Sequence, residues 1–141
     1  MPAASRLLVA MLRNRRVLVV EPEFLIALEI QRLLEQVRAD EIVFARGIEE
    51  AADLAPHFAQ FDLAVVALGE AGGAAMALTA ELLEAGTGVV GMTAGLAAVL
   101  GLSADLAIPL VEKPFTDEKF LTACAIALAS ARNNDQVDEV S

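Results

Sequence analysis

The chain has 141 residues and a mass of 14.8 kDa, the size of one domain that buries roughly two-thirds of its surface without a metal or disulfide staple. Ten basic against twenty acidic side chains leave a net charge of −10. Such a surface repels a phosphate backbone, so no nucleic acid is expected as a partner. A single cysteine, Cys124, excludes an intramolecular disulfide and a cysteine-rich zinc site, and it reads as a small buried hydrophobe.

Apolar residues make up 57% of the chain, but 28 of the 141 are alanine, so small helix formers account for much of that fraction. Residues 1–15 read as a leader. Arg6, Arg13, Arg15 and Arg16 precede the first acid, and from Val17 onward six basic residues face twenty acidic ones, a net of −14. Four arginines are a weak signal for an acidic partner. The apolar run Leu7 to Leu12 is short for a signal-peptide core and lacks a clear cleavage site.

Val17 to Val20 is a continuous β-branched-rich run, the pattern of a parallel strand buried on both faces. Phe24 to Val37 predicts an amphipathic helix, with Ile26, Ile30, Leu33 and Val37 inward and Glu29, Arg32 and Gln36 outward. Ile42 to Phe44 predicts the second strand and Ile48 to Ala59 the second helix. Leu63 to Leu68 predicts the third strand, and Gly72-Gly73 opens a helix reaching Ala85. The glycine pair lacks a dinucleotide or Walker spacing and reads as a loop. Val89 to Met92 predicts the fourth strand, ending at Thr93, and Leu96 to Leu102 a short uncharged helix. Ala85 to Ala104 holds twenty residues without a charge, but five glycines and three hydroxyl residues interrupt it, so no membrane span is expected. Ile108 to Val111 predicts the fifth strand. Thr116 is a suitable N-cap for a last helix to about Ala131, with Asp117 and Glu118 in its first turn. Residues 132–141 read as a polar tail that frays.

Residues 16–131 thus hold five βα units, which predict one open parallel sheet with helices on both faces. Function in such a sheet sits beyond the carboxyl ends of the strands. Glu21-Pro22-Glu23 follows strand one, Ala67 and Glu70 lie about the end of strand three, Thr93 follows strand four and Lys113 follows strand five. Acids, a hydroxyl and an amine converging there suit phosphate and a hard cation. His57 has no metal-spaced companion and reads as a surface residue.

Four pieces in this order carry a resemblance: Val17 to Glu23, Ala45-Arg46-Gly47-Ile48-Glu49-Glu50-Ala51, Met92-Thr93-Ala94, and above all Glu112-Lys113-Pro114-Phe115. The sequence resembles the response-regulator receiver domains, the CheY-like module of two-component signalling, over residues 16–131. The resemblance implies a flavodoxin-like α/β (βα)5 doubly wound sandwich with strand order 2-1-3-4-5. It also implies that the phosphoacceptor position falls on Ala67 and the paired acids on Glu21 and Pro22. The hydroxyl and lysine that contact the phosphoryl group fall on Thr93 and Lys113, and the aromatic switch position on Leu110. Alanine has no nucleophilic atom, and proline in place of an acid leaves too few ligands for Mg²⁺. The expectation is therefore a pseudo-receiver with no cofactor, no metal and no enzymatic activity, cytoplasmic, acting by protein interaction.

Few residues follow the last helix, so no output domain is expected, and any signal passes by binding to a histidine kinase, another regulator or a second copy. Gly95 to Leu102 contains only Gly, Ala, Leu and Val, and Leu110 adds another apolar group. Leu96, Val99, Leu100 and Leu110 are therefore the expected interaction surface, on the face that the family uses for dimerisation, made by its fourth helix, fifth strand and fifth helix. Two alternatives stand beside this one. One is phosphorylation on an unconventional acid such as Glu70, and the other is a small-anion sensor using the emptied pocket between Ala67, Thr93 and Lys113. Thr93 also suits the cap of the following helix. Lys113 suits an ion pair with Glu21 or Glu23, whose loss at a partly exposed site would cost on the order of 1 kcal/mol.

Overall fold

The apolar runs form parallel strands because each side chain finds a core on one face or the other. The computed structural model describes residues 3–69, 73–95 and 107–140, and side chains over 6–69, 73–95 and 107–131. In chain order the elements are α1 (Ala3–Leu12), β1 (Arg16–Val20), α2 (Phe24–Gln36), β2 (Glu41–Ala45), α3 (Ile48–Ala52), a 3-10 helix (Ala55–Gln60), β3 (Leu63–Ala67), α4 (Gly73–Glu84), β4 (Gly88–Thr93), β5 (Leu110–Glu112) and α5 (Asp117–Val140). The five strands pair in parallel in the order β2-β1-β3-β4-β5, as the α/β reading expects.

Strand alternation sorts the core into two layers. Val17, Val19, Leu63, Val65, Val90 and Met92 face α2 and α5 in one cluster. Leu18, Val20, Ala64, Val66 and Val89 face α3, the 3-10 helix and α4 in the other. Both faces being covered explains why the strands read as unbroken apolar runs.

Several boundaries differ from the sequence reading. The segment read as a leader folds as α1, with Leu12 fully buried and Val9 packed beside it, in the α2–α5 layer. The last two of the four early arginines are tied to the chain's own acids. Arg15 lies 3.7 Å from Asp62, and Arg16 lies 2.8 Å from Glu41. The helix expected from Ile48 to Ala59 breaks after Ala52, because Pro56 has no amide hydrogen and cannot continue an α-helix. The chain continues as the 3-10 helix, and the carbonyls of Phe58 within it and of Phe61 just after it accept from the buried Thr87 hydroxyl at 2.9 and 3.2 Å. The last helix starts as expected, with the Lys119 amide donating to Thr116 Oγ1 at 3.2 Å. It continues to Val140 rather than fraying near Ala131, since the polar segment contains no proline or glycine to stop it. The fifth strand is shifted to Leu110–Glu112. The helix expected at Leu96 to Leu102 lies outside the described residues.

Cys124 sits on α5 with no solvent exposure, and burial alone pushes its thiol well above the usual range. A neutral, inaccessible thiol does not attack a disulfide reagent. The native protein is therefore expected to leave a thiol-specific chromogenic disulfide unreacted, and the unfolded protein in denaturant to consume one equivalent. Prompt reaction of the native protein would contradict this burial.

Candidate functional site

The sheet order brings the ends of β1, β3, β4 and β5 side by side, so Glu21, Ala67, Thr93 and Lys113 meet along one edge of the molecule. Register sets their level, with Val20 opposite Val66 and Ala67 opposite Met92. The Lys113 amide donates to the Thr93 carbonyl at 2.8 Å, and the Lys113–Pro114 peptide is cis.

The Lys113 side chain spans the ends of β4 and β3 to reach β1. Its Nζ lies 2.7 Å from Glu21 Oε1, with the carboxylate side chain 1% exposed and the lysine 14%. Ala67 and Thr93 stand at the two intervening strand ends. The other carboxylate oxygen, Oε2, accepts from the Glu23 amide at 3.1 Å. Oε1 has no hydrogen bond of good geometry, so the ammonium is what compensates it. Of the two acids that suit Lys113, Glu21 is the partner. Glu23 is exposed at the start of α2 and contributes its backbone amide instead.

Thr93 is 2% exposed, and its Oγ1 accepts from the Gly95 amide at 3.1 Å, which caps the turn leaving β4. Ala67 is half-buried and borders a shallow hollow of about 290 Å³ lined by apolar groups from Val20, Pro22, Ile48 and Leu68 and by Gly47 and Gly69. Neither Thr93 nor Lys113 lines this hollow, so the space beside Ala67 offers an anion no side-chain cation. Glu70 lies outside the described residues, as do Leu96, Val99 and Leu100. His57 is exposed, 3.3 Å from the Gln60 amide nitrogen. Among the described residues, no three His, Cys, Asp or Glu side chains converge as metal ligands, and no helix is long and apolar enough to cross a membrane.

Leu110 is half-buried and turns toward the α4 layer, where a Cβ on Gly91 would lie 2.9 Å from its Cδ2. Beside it, an open cleft of about 770 Å³ runs between β5 and α5, bordered by Leu110, Pro114, Thr122 and the exposed Ile126. A second apolar surface went unnoticed in the sequence. Phe24, Leu25 and Leu28 on α2 and Phe44 on β2 are exposed. The signal was available, because positions 24, 25 and 28 fall outside the inward stripe of Ile26, Ile30, Leu33 and Val37 and widen the apolar arc of the helix.

No protein-family model and no curated protein matches the chain. Solved structures do match it. The signal receiver domain of an HD domain-containing protein from Pseudomonas fluorescens Pf-5 superimposes with a TM-score of 0.71 at 21% identity, covering 86% of this chain and 99% of that one. The PhyR response regulator REC domain of Erythrobacter litoralis gives 0.66 at 23% identity, over 82% and 91%. The response regulator PhyR from Brucella abortus gives 0.74 at 20% identity, over 97% of this chain and 56% of that one. At these identities the likeness is one of architecture. The chain has the fold of a response-regulator receiver domain.

Proposed function

We propose that this chain is a receiver-type signalling module that takes no phosphoryl group and acts by binding a protein partner. The observation that carries the reading is the Glu21–Lys113 ion pair lying across the ends of β3 and β4, beside an alanine. Phosphoryl transfer in this position needs an oxygen nucleophile and a divalent cation to offset the charge that develops. Ala67 supplies a methyl group. Mg²⁺ demands near-octahedral oxygen coordination, and Glu21 is already neutralised by an ammonium while Pro22 supplies no side-chain oxygen. These residues do not fit the cation. Lys113 takes the cation's electrostatic role toward Glu21, and Thr93 serves the turn after β4. The module has no cofactor and no catalytic activity of its own, and its place is the cytoplasm.

The partner is a histidine kinase, another regulator or a second copy, docked on the face that includes Leu96, Val99, Leu100 and Leu110. The cleft between β5 and α5, with Ile126 51% exposed at its border, supports this face. Sedimentation of the wild type beside Leu100→Glu and Ile126→Glu tests it. Either the wild type alone or its mixture with a kinase is expected to sediment as a complex that both variants lose. A wild type that stays monomeric at high concentration and binds no kinase through these residues would defeat the assignment.

A further inference from the structure

Arg15, Arg16, Arg32 and Lys113 are each paired with an acid of this chain. Arg46, in the bend between β2 and α3, is exposed and pairs with no acid among the described residues. It borders an open groove of about 400 Å³ between α2 and β2. Phe24, Ala27, Leu28 and Gln31 line this groove from the helix, at the spacing of one helix face, and Phe44 lines it from the strand. Phe24 is 73% exposed, Leu28 44% and Phe44 36%, and none of the three belongs to either core layer.

Size, rings and charge narrow the occupant. The volume falls in the range of small-molecule sites, about 300–1,000 Å³, which are mostly apolar with a few placed polar groups. Phe24 and Phe44 do not stack on each other, since the one ring pair among the described residues is Phe115 with Phe120. Each therefore keeps a face or an edge for a third ring. Glu21 also lines the groove, but its side chain is 1% exposed and its carboxylate is held by Lys113 at 2.7 Å. The accessible charge is the Arg46 guanidinium, whose planar fork matches a carboxylate. One cation balances one negative charge. A doubly charged phosphate ester would bring a second into a body of net charge −10.

We propose that the α2–β2 groove binds a small aromatic monocarboxylic acid, with its ring among Phe24, Leu28 and Phe44 and its carboxylate on Arg46. Ala67, Thr93 and Lys113 do not line this groove, so the site stands whether or not the strand ends take a phosphoryl group.

The probe is 2-naphthoate, titrated with the full chain and read by fluorescence anisotropy. The chain has no Trp and no Tyr, so naphthalene emission is read free of protein emission. Naphthalene-2-carboxamide keeps the ring and lacks the charge. Decanoate keeps the charge, lacks the ring and serves as a competitor. A ligand of about 13 non-hydrogen atoms in an open groove is expected to bind with a Kd of about 0.1–1 mM. The carboxamide is expected to bind about fivefold more weakly, and Arg46→Gln to weaken the naphthoate by the same factor while leaving the carboxamide unchanged. Phe24→Ser is expected to weaken both ligands about fivefold. Both substituted positions are exposed and outside the core, and circular dichroism checks that each variant is folded. Ile126→Glu, at the β5–α5 cleft, is expected to bind as the wild type does. Four results would each overturn the proposal: no rise in anisotropy at millimolar protein, equal affinity of the wild type and either groove variant, equal affinity for acid and amide, or loss of binding in Ile126→Glu. Tighter binding of decanoate than of the naphthoate would overturn the aromatic assignment. None of these outcomes bears on phosphorylation, so the two readings fail separately.

Discussion

Replacing Lys113 with methionine is expected to destabilise the fold by about 3 kcal/mol, a fall in Tm of roughly 10 °C for a chain of this size. The partly exposed pair that the sequence suggests would lose on the order of 1 kcal/mol. The structure raises the expectation because the Glu21 side chain is 1% exposed, and removing the ammonium strands a buried carboxylate without a counter-charge. Oε2 would keep the Glu23 amide, but Oε1 would keep nothing. The double variant Glu21→Leu with Lys113→Met removes both charges and is expected to recover most of the loss, since apolar replacement of a buried pair is often close to neutral. Urea unfolding of the four proteins gives the coupling directly. A single-variant loss below about 1 kcal/mol would mean that Lys113 stands in water.

Gly88→Ala is expected to be as severe, about 3 kcal/mol or more, for a steric reason. A Cβ at the first residue of β4 would stand 2.5 Å from the Ala127 carbonyl oxygen and 2.8 Å from its carbon. Both are backbone atoms of α5, so relief requires moving the helix that holds Phe120, Cys124 and Leu128 in the core. Gly91→Ala meets only side-chain ends, of Leu68, Leu110 and Ile108, which can turn aside, so it is expected to cost less. Gly73→Ala, where nothing lies within 4 Å, serves as the control and is expected to be neutral or slightly stabilising. Equal midpoints for Gly88→Ala and Gly73→Ala would show that α5 does not press on β4.

The strands were legible to within one or two residues because burial on both faces forces near-continuous apolar sequence. The amphipathic helix from Phe24 was legible for its inward stripe, and Thr116 for its cap. What escaped depends on contacts distant in sequence. Leu12 looks like the end of a short apolar run, and only the path of α5 across the same face makes it a core residue. The break after Ala52 was in reach, since Pro56 stands in plain view and the helical spacing around it overrode its meaning.

The site divides the same way. That an acid after β1 would meet Lys113 was legible from the order of the strands. Which acid was not, because the choice follows from the turn into α2, where Glu23 offers its amide and leaves Glu21 to the lysine. The exposed surface shared by Phe24 and Phe44 joins residues twenty positions apart in sequence, beyond the reach of any periodicity.

Exposure to acetyl phosphate with Mg²⁺, followed by intact-mass measurement, separates a module that takes no phosphoryl group from a phosphate acceptor. An alanine at the end of β3 and a carboxylate already neutralised by Lys113 predict a single species of unchanged mass. A stoichiometric phosphoryl adduct, stable in acid and labile in base, would contradict that account, and its loss in Glu70→Ala would identify the acceptor.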